Sequence, residues 1–258
     1  MTEPHHRYLD QISAAAAQRR YGHLDLLLDP AADGDNWLHR LAMIQPRLEC
    51  LRLFDDTPLS DLRQDSPLLV RVMLSQPSHC DWLDGALSLL WSQPQWIVLL
   101  SPSPLPTLVQ QLRRCLLAEL DDGARTLLRY YDPRLLRVVQ HILTPVQAAA
   151  LNHGIDRWLW RDRDGELAKL SPPAAMPPPA EPALRLNVEQ RQQLEAYAEA
   201  HALLQQRQED EPELCGREAL LDHLAALSCQ ADAQSLWEEP ERGNWIASQL
   251  ATQQPAVP

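Results

Sequence analysis

Short apolar runs alternate along the first two thirds of the chain with longer stretches in which apolar positions recur every three or four residues. HLDLLLD (23–29), LECLRLF (48–54), PLLVRVM (67–73), WIVLL (96–100) and TLLRYYD (126–132) are too short for helices and are bounded by Pro, Asp or Gly, which predicts strands. Between them NWLHRLAMIQ (36–45), DWLDGALSLLWSQ (81–93) and SPLPTLVQQLRRCLLAEL (103–120) carry the helical period. In the last of these Leu105, Leu108, Val109, Leu112, Leu116 and Leu120 form one stripe. Ser103 is placed to cap it, Pro104 fits the first turn, and Gly123 can help end it. Strands alternating with helices predict an α/β N-terminal lobe with a mainly parallel or mixed sheet. RWLWRD and GELAKL, around RDRDG (161–165), predict a hairpin that closes this lobe.

The pattern breaks at SPPAAMPPPAEP (171–182), whose prolines exclude helix interior and central strand and predict a semi-rigid polyproline-like linker. Beyond it only helical periodicity remains. Asn187 with Gln190 three residues on resembles a capping box, opening a helix to about Gln208. GREALLDHLAALSCQ (216–230) puts Leu220, Leu224 and Leu227 on one face, and QSLWEEPERGNWIASQLATQ (234–253) predicts one or two short helices around Pro240 and Gly243. The organisation is therefore an α/β domain over 1–170, a linker over 171–186, and a small all-α C-terminal lobe over 187–258.

Charge sharpens this division. The 258 residues carry a net charge of -12, which argues against nucleic acid as a partner because phosphate binding needs a basic footprint. Residues 171–258 hold 5 Arg against 14 Asp and Glu, so most of the acidity lies after the break. The sole lysine is Lys169; the other basic side chains are arginines, suited to planar bidentate pairing. No apolar run approaches the roughly 18–20 residues of a membrane helix. MTEPHHRYLD shows no basic stretch followed by an apolar one, so no secretory signal is expected. Cys50, Cys80, Cys115, Cys215 and Cys229 are odd in number and widely spaced, unlike a disulfide framework or a zinc site. These features predict a soluble chain of a reducing compartment.

Candidate chemistry is sparse. HCD (79–81) offers an imidazole, a thiol and a carboxylate, but adjacent residues do not converge on one metal, and a helix entry capped by Asp81 is the better reading. His5 and His6 are expected to be disordered at the terminus, and His141, His201 and His223 to be packed or surface histidines. DPAADGD (29–35) places carboxylates after a strand, where α/β enzymes put ligand groups, without calcium-loop or phosphate-loop spacing. G-x-S-x-G, C-x-x-C, H-E-x-x-H and G-x-G-x-x-G are all absent. TLLRYYDPRLL (126–136) is the densest cluster. Asp132 before Pro133 reads as an N-cap followed by proline at the first helical position. Arg129 and Arg134 are placed to pair with nearby acids, and the segment offers no histidine or second carboxylate as an acid/base partner. A structural strand-to-helix corner is the better reading.

Those residues also carry a resemblance. Trp96, Arg129, Tyr130, Tyr131, Asp132, Pro133 and Arg134 match, in order, the pattern of the type VI secretion effector adaptors, or effector chaperones, a family first catalogued as a domain of unknown function. LLLDPAAD (26–33), SPLLVRV (66–72) and WLWRDRDGELAKL (158–170) are similar to its other segments, so the resemblance spans about 21–170; Pro30 departs where the family commonly has Gly. The resemblance implies a two-lobed, non-enzymatic bacterial protein that stays in the cytoplasm. Such a protein would bind and stabilise a cognate toxin effector and help load it onto the VgrG spike. No cofactor, metal or catalytic residue is implied. In that setting Trp237 and Trp245 are candidate partner-binding anchors, as are Trp158 and Trp160, although all four could equally be packing residues. The alternatives are an immunity-type toxin-binding protein and a small α/β hydrolase-like enzyme using the acids after the first strand.

Overall fold

A computed structural model describes residues 4–30, 34–91, 93, 95–172, 184–211, 214 and 216–253. The chain divides into two compact units, Met1–Glu119 with Gly123–Arg185, and Leu120–Asp122 with Leu186–Pro258.

The first unit contains α1 (Pro4–Gln18), β1 (His23–Leu28), α2 (Gly34–Ala42), β2 (Glu49–Arg52), β3 (Leu68–Met73), α3 (Pro77–Leu89), β4 (Trp96–Leu100), α4 (Leu105–Arg114), β5 (Leu117–Glu119), β6 (Arg125–Leu127), α5 (Pro133–Ile142), α6 (Pro145–Leu151), β7 (Arg157–Arg161), β8 (Leu167–Leu170) and β9 (Leu184–Arg185). The expected α/β lobe and its closing β7–β8 hairpin are present. Its main sheet has the order β2-β3-β1-β4-β7-β8. Every neighbouring pair in it is antiparallel. Mixed pairing belongs to a small sheet, β6-β5-β9, where β5 runs antiparallel to β6 and parallel to β9. The strand–helix–strand signal is nonetheless real. β3 and β4 both oppose β1, so they are parallel to each other; the β3–α3–β4 crossover is split by insertion of β1. In the same way β3 sits between β1 and β2.

Both faces of the sheet are covered, which is why its strands read as continuous apolar runs, a pattern usual for parallel sheets. Leu24, Leu26 and Leu28 face a core that includes Ile12 and Ala16 of α1, Trp37 and Leu41 of α2, and Leu83 and Leu87 of α3. On the alternate positions Leu27, Leu69, Ile97, Leu99, Trp158 and Trp160 are also buried. Trp158 is 0% exposed, and its Nε1–H donates to Asn152 Oδ1 at 2.7 Å, while Asn152 and Gln140 of α5 exchange amide hydrogen bonds. That burial takes Trp158 and Trp160 out of the set of surface anchors.

Several sequence expectations are corrected. The helix expected over 103–120 stops at Arg114, and Leu117–Glu119 pairs with Arg125–Leu127 instead. Its N-cap is Pro104, without a side-chain cap, and the Ser103 carbonyl accepts from Arg71. Gly123 lies between β5 and β6 at φ +81°, a left-handed turn conformation open to glycine. The strand expected over 126–132 ends at Leu127. α3 begins at Pro77 with Gln76 as N-cap, so Asp81 lies inside the helix and is not its cap. The N-terminal histidines belong to α1, where His5 is buried.

The second unit contains α7 (Val188–Asp210), α8 (Arg217–Ala233) and α9 (Glu241–Gln253). The Asn187–Gln190 capping box is formed in both directions. Ala196, Ala200 and Leu204 of α7, Leu221, Leu224, Leu227 and Ala231 of α8, and Ile246 of α9 are buried, whereas Leu220 is only half-buried. Arg242 clasps the three helices. It donates to both Glu199 carboxylate oxygens at 2.6 Å, to Asp232 at 2.7 Å, and to the Leu236 and Ser228 carbonyls. Of the proline-rich segment, 173–183 lies outside the described residues, and Leu184–Arg185, at the far end of the predicted linker, forms β9.

Candidate functional site

Asp132 is the centre of the strand-to-helix corner. β6 ends at Leu127, the chain turns through Leu128–Tyr131, and Asp132 takes the extended conformation of an N-cap, with Pro133 opening α5. Its Oδ1 accepts from the Arg134 backbone N–H at 2.9 Å. The Arg134 guanidinium closes back on the same carboxylate through Nε at 2.9 Å and an Nη at 2.7 Å, a bidentate pair. Arg129 also reaches Asp132, at the Oδ2 that Arg134 holds, and Asp29, just past β1, each at 3.5 Å. Asp132 is 2% exposed, so these contacts supply the charge compensation its burial requires.

The two tyrosines face different ways. Tyr130 is fully buried, donates its O–H to the Leu112 carbonyl at 2.8 Å, and meets Trp158 edge-on. Tyr131 packs edge-on against Phe54 and lies under the Arg129 guanidinium, 5.8 Å from the ring centre. Burial pushes the Tyr131 phenol up to about 12, and that of Tyr130 well above its ordinary value. Both are neutral donors at physiological pH. Arg134 is held above its ordinary range by its hydrogen bonds to Asp132.

A half-open cleft of about 510 Å³ lies beside the corner, with Asp29, Phe54, Leu62, Arg129, Tyr131 and Arg134 among its walls. Its polar groups include the Arg129–Asp29 ion pair, Arg134 held by Asp132, the Tyr131 phenol, and the side chains of Asp65, Gln93 and Gln95. Such a surface can accept a polar or anionic segment by exchanging ion pairs. The fingerprint residues Arg129, Tyr131, Asp132, Pro133 and Arg134 therefore come together, and Trp96 is buried at the start of β4, paired with Leu28.

The other candidates lie elsewhere. His79 is buried, accepting from the Met73 N–H at Nδ1 and bonding the Pro46 carbonyl through Nε2 at 2.8 Å, so it serves the backbone and not a metal. Cys80 bonds the Leu74 carbonyl. In 29–35, residues 31–33 lie outside the described residues, while Asp35 pairs with Arg52 at 2.8 Å. His141 is exposed and His201 and His223 are half-buried. On the helical unit Trp237 is 66% exposed and Trp245 half-buried.

Sequence reasoning missed one buried pair. Asp25, 0% exposed at the centre of β1, receives Arg71 of β3 in a bidentate pair at 2.7 and 2.8 Å. Burial raises the Asp25 carboxyl above its ordinary value, with Arg71 opposing. One charge inside each of two apolar strands, HLDLLL and LLVRVM, was the available signal.

No curated protein and no solved structure matches the chain. Residues 26–150, just under half of the chain and including the whole corner and its cleft, match the family model described as Domain of unknown function (DUF4123).

Proposed function

We propose that this chain is a non-catalytic adaptor of type VI secretion. In this reading it binds and stabilises a cognate toxin effector in the bacterial cytoplasm and helps load it onto the VgrG spike. The observation that carries the reading is the ordered fingerprint from Trp96 through Arg134, inside the span that matches the domain family. The chemistry of the corner supports it. Asp29 and Asp132 both lie within ion-pair distance of Arg129, and the neighbouring phenol is held protonated, an arrangement suited to stability and recognition rather than to proton transfer. The helical unit supplies the partner surface in this reading, with Trp237 as its exposed anchor.

The test is co-expression of the tagged chain with the genes beside it in its own operon, followed by identification of retained proteins. Recovery of a toxin-like protein together with the spike is the expected result. Recovery of the toxin without the spike would assign the chain to immunity, and recovery of neither would reopen the enzyme reading. Trp237→Ala is expected to weaken effector capture by about 2 kcal/mol, roughly thirtyfold, while leaving the melting temperature unchanged. Unchanged capture would move the anchor elsewhere.

A further inference from the structure

His5 and His6 follow one another near the start of α1, and Asp84 of α3 meets both. The Nε2 atoms converge on a single oxygen, Asp84 Oδ1, at 3.1 Å from His5 and 3.3 Å from His6. All three atoms lie within 4.8 Å of one another. Successive helical side chains ordinarily diverge, so two neighbouring imidazoles on one oxygen require both rings to fold toward α3. Their ring centres are 4.4 Å apart. His5 is 2% exposed, whereas the His6 and Asp84 side chains are 42% and 44% exposed. The cluster is therefore anchored on the inside and open on the outside.

Four-coordinate zinc with ligand bonds of about 2.0–2.1 Å has ligand–ligand edges of roughly 3.3–3.4 Å. The two histidine–carboxylate edges of the triangle, 3.1 and 3.3 Å, approach that length. Two imidazoles and a carboxylate suit zinc and the neighbouring late transition metals better than calcium or magnesium, which prefer all-oxygen shells. We propose that His5 Nε2, His6 Nε2 and Asp84 Oδ1 bind one divalent transition-metal ion of the zinc class, with a further coordination position open to solvent. The ion would fasten α1 to α3. α1 precedes the span matched by the domain family and Asp84 lies within it, so the ion would tie an element outside that span to one inside it.

The experiment uses the full chain without any histidine tag. Zinc titrated calorimetrically should bind at one equivalent per chain and raise the melting temperature. Cobalt(II) should give a visible d–d band without a thiolate charge-transfer band, since the site contains no cysteine. Zinc or copper binding should also change Trp91 fluorescence, because that indole lies 6.2 Å from the His5 ring; Trp91→Phe should abolish the change and leave the calorimetry intact. His6→Ala and Asp84→Asn, both half-exposed, should each weaken zinc by at least about tenfold, while His39→Ala, at an exposed position of α2, should not. Absence of stoichiometric binding, a thiolate band, or equal affinity in His6→Ala and Asp84→Asn would each overturn the site.

Discussion

Asp132 holds the corner with one carboxylate, which caps α5 and receives two arginines while almost wholly buried. Asp132→Ala removes the cap and leaves Arg134 without its bidentate partner; the expected loss is about 1–2 kcal/mol, measured by denaturant melting. Asp132→Asn keeps the cap and should lose less. Unchanged stability together with lost partner binding would instead make Asp132 a recognition residue. The tyrosines give a second prediction at this scale. Burial raises Tyr131 and Tyr21 to about 12 from an ordinary 10.0, and Tyr130 well beyond 10.0. A raised phenol favours the folded state while protonated, so its contribution is complete below pH 10 and is lost as pH rises through about 12. The part of the tyrosinate absorbance lost in Tyr131→Phe and Tyr21→Phe should therefore stay low near pH 11 and rise together with loss of circular dichroism; separate ionisation of these phenols in a still-folded chain would contradict it. The cap was legible because Asp-Pro is a local signal. The inward turn of Trp158 was not, because it depends on Asn152 and Gln140, whose convergence is tertiary.

At the scale of elements, strand positions followed from apolar runs bounded by turn residues, and their pairing did not. A run such as HLDLLL records that both faces are buried, and that is equally true of a parallel sheet and of this antiparallel one covered on both sides. The same burial masks the Asp25–Arg71 pair, which links β1 to β3 in register. Removing one charge from a buried pair leaves the other uncompensated, so Asp25→Ala should cost about 3–5 kcal/mol. Asp25→Leu combined with Arg71→Met removes both charges and should recover most of that loss, despite the bond that Arg71 also makes to the Ser103 carbonyl. Chemical denaturation of Asp25→Leu, Arg71→Met and the double variant measures the coupling. Additive losses would show that the pair contributes nothing as a pair. The helix expected to run through 103–120 ends early for a similar reason: Leu116 continues the apolar stripe, but Leu117–Glu119 finds a strand partner in β6 and a second in β9.

At the scale of the whole molecule, the two units differ in what holds them. The first is built on a six-stranded sheet with a large apolar core, whereas the second is three helices whose polar clasp centres on Arg242. Hydrogen bonds from Arg242 hold Glu199 below its ordinary value of 4.5. A depressed carboxylate contributes stability above its unfolded pKa and loses it as pH falls through its folded value. Acidification below about pH 4.5 should therefore loosen the helical unit through this contact. Arg242→Met should have the same effect at neutral pH, since it strips Glu199 and Asp232 of their partner and frees two carbonyls. Calorimetry of the full chain is expected to show two transitions, of which Arg242→Met lowers only one. Thermal melting followed at Trp237, the exposed indole of the helical unit, should identify that transition as the helical one. If Arg242→Met instead shifts a single common transition, the two units unfold together, and the division of the chain into separately stable bodies is wrong.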